Sequence, residues 1–88
     1  MARRNSFQVA RDILVVADDG ATKTQLVYQA NLNFKVVKKY LRDLIVKALM
    51  VQDGKLYHTT DEGRAFIRWM AHTEDYVKNG PPGVILNA

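Results

Sequence analysis

Residues 31–47 read NLNFKVVKKYLRDLIVK, an apolar repeat with five cationic side chains threaded through it. At roughly 100° per residue, Phe34, Val37, Leu41, Leu44, Ile45 and Ala48 share one side of a helix, so the spacing predicts an amphipathic helix over 34–48. Lys35, Val36, Lys39, Arg42 and Asp43 point away from that side. Asn33 is placed to cap the helix, and the ANLN stretch ending on it reads as a turn. The segment therefore has two jobs: one face closes a core, and the opposite face offers cations to an anionic partner.

Working outward, Thr22 or Thr24 can cap a short helix through Leu26, Val27 and Gln29. Before it, Phe7, Ala10, Ile13, Leu14 and Ala17 form the stripe of a first helix over 6–18, capped by Asn5 or Ser6 and ended by Asp18-Asp19-Gly20. Val9, Val15 and Val16 lie off that stripe and are free to meet another helix or subunit. On the other side, MVQDGKLYHT places Asp53-Gly54 between two short segments, which predicts a hairpin over 50–58. In that hairpin Leu56 and His58 share one face, and Lys55 and Tyr57 the other. Thr59, three residues before Glu62, has capping-box spacing for a last helix, whereas Thr60 would face Gly63. That helix carries Phe66, Trp69, Met70, Thr73, Tyr76 and Val77, and Pro81 and Pro82 end it near Asn79-Gly80.

With 88 residues the chain suffices for one small domain, assigned to residues 1–79, followed by an apolar tail over 80–88. A composition of 48% hydrophobic and 25% charged residues is that of a folding chain, and the absence of cysteine excludes disulfides and thiolate chemistry. The longest apolar runs, such as Ile13–Ala17, fall far short of the roughly 20 residues that cross a bilayer. In MARRNSFQ the polar residues interrupt any signal-peptide core, so an intracellular, cytoplasmic protein is expected. The net charge of +4 is a weak pointer to anionic partners until the charges are placed.

Helix, short helix, capped turn, basic helix, hairpin, helix is the connectivity of a winged helix-turn-helix domain. The fold class is α+β, mainly helical, with a three-helix core, a β-hairpin wing and a C-terminal helix. In that frame Lys35, Lys39 and Arg42 form a stripe suited to phosphates or base edges, with an ordinary solvated face as its rival. Lys38 lies nearer the core edge and suits a backbone phosphate. Asn31 and Asn33 rank second because turn and cap already employ them, and Lys55 sits at the wing tip. Arg3 and Arg4 could form a basic arm. His58 and His72 have no companions at metal-ligand spacing, so no metal or cofactor is expected. Neither a nucleophile with its base nor a phosphate loop is visible, so no catalytic residue is assigned and no small-molecule substrate is expected.

The string YQANLNFKVVKKYLRDLIVKALMVQDGKLYHTTDEGRAFI resembles the small archaeal winged-helix DNA-binding proteins. It shares the ANL turn, an aromatic residue opening the third helix, KYL.DLI, the hairpin, and T..GR.F entering the last helix. The likeness spans residues 6–72 and implies a nucleoid-associated chromatin or transcription-regulating protein that binds double-stranded DNA. Several such relatives dimerise through a long antiparallel last helix; here Pro81 and Pro82 limit that helix. A homodimer is still expected, joined by Phe66, Trp69, Met70, Thr73, Tyr76 and Val77, with Val9, Val15 and Val16 or Val84, Ile85 and Leu86 contributing. The alternative is a winged-helix protein-interaction module that does not bind DNA.

Overall fold

Each of the first three helices begins where a short polar side chain satisfies amides that helix geometry leaves without partners. The computed structural model describes residues 4–79, with side chains described to residue 72. Helix α1 spans Ser6–Val16 and α2 spans Lys23–Gln29; Asn5 with Gln8, and Thr22 with Gln25, close reciprocal capping boxes. Helix α3 spans Phe34–Val46, and Asn33 accepts the Val36 amide proton at 2.8 Å. Strands β1 (Met50–Asp53) and β2 (Leu56–Thr59) pair antiparallel, and α4 runs over Asp61–Asn79. A bridge from Ala21 to Tyr57 adds a third rung beside the hairpin.

The ends of α2 and α3 share one device. The Leu32 amide returns to Val27 O at 2.9 Å, and the Leu49 amide returns to Leu44 O at 2.9 Å. In each case the residue between has left-handed backbone, Asn31 at φ 55° and Ala48 at φ 61°. These are Schellman-type stops, and they explain why α3 ends at Val46 and not at Ala48 as its apolar repeat suggests. Asparagine suits the left-handed region, whereas alanine at that position carries strain.

The last helix starts one residue later than the capping-box spacing implies. Thr60 accepts the Gly63 amide proton at 3.0 Å and donates its own hydroxyl proton to Ala48 O at 2.7 Å. Thr59 is buried, and its hydroxyl donates to Leu14 O at 2.6 Å. Strand alternation turns Tyr57 and Thr59 inward, so Thr59 serves the end of α1 and Thr60 becomes the cap. The hairpin turn is likewise shifted: Asp53 pairs with Leu56, leaving Gly54 and Lys55 as the turn residues. Only Gly54 has positive φ, which is the type II′ arrangement.

The core gathers Ile13, Leu14 and Ala17 of α1 and its C-cap, Leu26 of α2, Val37, Leu41 and Leu44 of α3, and Met50 and Tyr57 of the hairpin. Four positions on the expected apolar stripes of α1 and α3 lie outside it, the exposed Ala48 among them. Phe7 is 56% exposed, Phe34 50% and Ile45 36%, while Val9, read as off the stripe, is buried. These residues sit at stripe margins, where burial depends on whether a neighbouring element reaches that angle. Phe7 is met by the rings of Phe66 and Trp69 of α4, at centroid distances of 6.3 and 6.2 Å, which leave one side open.

Gly63 marks a close approach between α4 and the chain leaving α3. A Cβ there would collide with the Leu49 carbonyl oxygen and lie 2.6 Å from Thr59 Cγ2. The glycine of T..GR.F thus lets the first turn of α4 lie against the chain leaving α3.

Candidate nucleic-acid interface

The two Schellman stops and the Asn33 cap set α3 across α2, and the hairpin follows α3 after a short connection. Against this frame the chain's charges divide into two populations. Arg4 donates to Asp12 at 2.8 Å, to Ala30 O at 2.7 Å and to Asn31 O at 2.9 Å, tying the start of the described chain to the turn between α2 and α3. Arg11 pairs with Asp12, and Arg64 bridges Asp18 and Asp61 at 2.8 and 2.9 Å. The hydrogen bond to Asp18, followed by its charge, holds the Arg64 guanidinium above its ordinary pKa. These arginines are committed to the fold. Arg4 is therefore a clasp on the helix-turn-helix and not part of a free basic arm; Arg3 lies outside the described residues.

The cations of α3 are placed differently. Lys35, Lys38, Lys39 and Arg42 are exposed, and none enters an ion pair among the described residues. Together with Lys47 and the one acid Asp43, they give the 31–47 segment a charge of +4, equal to that of the whole chain. Lys35, Lys39 and Arg42 lie on the side of the helix away from Val37, Leu41 and Leu44, as their spacing implies. Val46 continues this outward side and is 79% exposed.

At the wing, Lys55 is exposed beside Gly54 in the turn. A hollow of about 460 Å³ brings Lys55, Gln52 and Gly54 together with Phe34 at the start of α3 and Thr22, Lys23 and Thr24 at the start of α2. The exposed ring of Phe34 thus stands between helix and wing and not in the core. Lys23 was missed in the sequence reading; its one signal is its place directly after the Thr22 cap, where the first helix of the motif begins. Asn33 is spent on its cap, and Asn31 holds the left-handed position while its carbonyl accepts from Arg4.

On α4, Trp69 is 47% exposed, Phe66 is half-buried against the core and Met70 is buried. The side chains of Thr73, Tyr76 and Val77, and the whole of 80–88 with Val84, Ile85 and Leu86, lie outside what the structure describes. His58 lies against Gly20, where an added Cβ would come within 2.6 Å of its ring, and His72 is exposed on α4. Among the described residues no group of His, Asp or Glu is placed to hold a metal, and no helix is long and apolar enough to cross a membrane.

Comparison with known proteins agrees with this geometry. The crystal structure of Sso10a-2, a DNA-binding protein from Sulfolobus solfataricus, matches with a TM-score of 0.69 and 24% identity, over 85% of this chain and 80% of that one. At that identity the likeness is one of fold. No curated protein sequence matches. The family model for the winged helix-turn-helix matches residues 3–78, and the chain belongs to that family.

Proposed function

We propose that this protein binds double-stranded DNA through α3 in the major groove, with the hairpin as a flanking wing. The observation that carries this reading is the division of charge: Arg4, Arg11 and Arg64 are consumed in internal contacts, while Lys35, Lys38, Lys39 and Arg42 on α3 enter no ion pair among the described residues. Lys35, Lys39 and Arg42 meet phosphates or guanine edges, Lys38 and Lys55 flank them on backbone phosphates, and Asn31 and Asn33 position the helix and stand close to the backbone. The Sulfolobus neighbour, itself a DNA-binding protein, supports the same use of the fold.

The finer reading is a nucleoid-associated homodimer that organises DNA or regulates transcription. Trp69, Phe66 and the exposed face of Phe7 form the aromatic patch through which a second copy joins, and Thr73, Tyr76 and Val77 are assigned to the same interface from their sequence spacing alone. Met70, already buried within the chain, adds little to that surface. A two-fold dimer presents two α3 helices to sites about 34 Å apart. Sedimentation at micromolar concentration tests this, and a monomer would remove the dimer.

DNA binding itself is tested by fluorescence anisotropy of a mixed-sequence duplex across a salt series, comparing wild type with the Lys35→Ala/Lys39→Ala/Arg42→Ala variant. The expected result is affinity that falls steeply with salt, with a slope smaller by about 2 to 3 in the variant. Absent binding, or an unchanged slope, would shift the reading to a protein-interaction module.

A further inference from the structure

The side of α3 facing α1 and α4 holds a second charged arrangement, which shares only Lys39 with the outward stripe. A groove of about 340 Å³ opens there, with Phe7 of α1, Tyr40 and Leu44 of α3, Leu49 just before β1, and Phe66 of α4 forming its apolar walls. The rings of Phe7 and Phe66, 6.3 Å apart between centroids and inclined at 41°, touch each other and form one continuous aromatic wall of the groove. Along one rim stand Lys39, Asp43 and Lys47. Their i, i+4, i+8 spacing is that at which helix ion pairs form, about 6 Å of rise between neighbours. Yet neither lysine comes within 4.0 Å of the Asp43 carboxylate. Three exposed charges in the order plus, minus, plus therefore border an aromatic slot without neutralising one another.

From this we infer that the groove is a binding site for a small aromatic α-amino acid in its zwitterionic form. The ring lies against the wall made by Phe7, Phe66 and Tyr40, where stacking and edge contacts are available. The ammonium group meets Asp43, and the carboxylate meets Lys39 or Lys47. A simple aromatic anion pairs with a lysine but leaves Asp43 without a partner, and a simple aromatic amine meets Asp43 between two repelling lysines; the zwitterion offers a partner to charges of both signs. The volume is at the small end of ligand pockets, which suits a ligand of this size. Because the walls come from three separate stretches of chain, the site has no local motif, and the expectation from sequence that no small molecule is involved could not detect it.

Lys39 also belongs to the stripe proposed to meet DNA. Occupancy of the groove therefore withdraws about one phosphate contact from that face. That consequence rests on the DNA reading; the binding itself does not, although Phe7 and Phe66 also belong to the patch proposed for a second copy, so that a ligand in the groove and the dimer compete for those rings.

The test is made without DNA. Backbone amide resonances of the full chain are followed during titration with L-phenylalanine, 3-phenylpropionate, which lacks the ammonium group, and phenethylamine, which lacks the carboxylate. Trp69, the single tryptophan, is 6.2 Å from Phe7 and supplies a fluorescence signal in parallel. The expected result is saturable shifts at the groove residues with L-phenylalanine, at a dissociation constant on the order of 1 mM, and at least several-fold weaker binding of the other two. In the Asp43→Asn variant, a surface change that leaves the core intact, the preference of L-phenylalanine over phenylpropionate disappears. No saturable shift, shifts mapping elsewhere, or equal binding of all three probes would overturn the proposal, the last marking a merely greasy slot.

Discussion

Replacing Gly63 by alanine sets two effects of opposite sign against each other, and the structure decides between them. Helix propensity favours alanine by at most about 1 kcal/mol. Against this, the added methyl has no space: the Leu49 carbonyl and Thr59 Cγ2 occupy it. Neither neighbour can yield freely, because Leu49 O accepts the Thr60 amide proton at 3.1 Å and Thr59 is held by its bond to Leu14 O. Relief requires the first turn of α4 to move away, with an overpacking cost of about 1–3 kcal/mol. The same movement weakens the Thr60 cap and the Thr60–Leu49 hydrogen bond, each worth about 1 kcal/mol. The net expectation is destabilisation by about 2–3 kcal/mol, or roughly 10–20 °C in Tm for a domain of this size. Thermal and urea unfolding followed by circular dichroism, at one fixed protein concentration, measures it. Ala65→Gly, an exposed exchange two residues further along α4, calibrates the propensity term alone at about 1 kcal/mol. A Gly63→Ala protein as stable as wild type, or more so, would refute the close approach of α4 to Leu49.

The reverse exchange has the reverse sign elsewhere: Ala48→Gly relieves a left-handed alanine at an exposed position, and should stabilise by about 0.5–1 kcal/mol in the same unfolding assay. Thr59→Val removes the donor to Leu14 O and should cost about 1–2 kcal/mol, while Thr59→Ser, which keeps the hydroxyl, should cost less; equal losses would deny the hydrogen bond its role. Arg4→Ala should lower stability by about 1 kcal/mol, since its contacts are partly exposed, yet leave the salt slope of duplex binding unchanged. A slope reduced by about 1 would return Arg4 to the phosphate-contacting set.

The elements most legible in the sequence are those specified by neighbours in the chain. The Asn33 cap, the Thr22 cap, the amphipathic repeat of α3 and the position of the hairpin all depend on contacts a few residues apart, and periodicity or side-chain chemistry reveals them. What escaped reading depends on distant partners. Phe34 and Ile45 obey the repeat of α3 but sit at angles that no other element covers. Thr59 and Thr60 offered two caps in adjacent positions, and the choice was made by the Leu14 carbonyl of another helix. Gly63 stood in the sequence only as part of T..GR.F, because its reason, the Leu49 carbonyl beside it, is a contact made by the fold. Arg4 read as a loose charge because nothing in MARRN announces the carbonyls of Ala30 and Asn31. The candidate interface was legible in part for the same reason: the stripe on α3 is local, whereas Lys23 joins it only through the fold.

The division between arginine and lysine bears on how the protein would read DNA. Among the described residues every ion pair is made by an arginine, and the lysines of α3 and the wing make none. A guanidinium fork matches carboxylates and carbonyls with fixed geometry, while an ammonium on a flexible stem is a hydrated point charge that adapts to phosphates. Helix α3 carries no Asn, Gln, Ser or Thr. Of the side chains that recognise base edges by paired hydrogen bonds, only Arg42 stands on its outward stripe. On the proposed reading, affinity then comes chiefly from lysine–phosphate contacts, and discrimination is limited to about 1–3 kcal/mol at one guanine per subunit. Selection from a random duplex library should therefore return a shallow motif with a single preferred G·C position per half-site. That preference should vanish in Arg42→Lys while the salt slope stays the same, because the charge is kept and the fork is lost. A deep motif spanning several base pairs would show that residues outside α3 do the reading, and would turn attention to Gln52 and Lys55 of the wing.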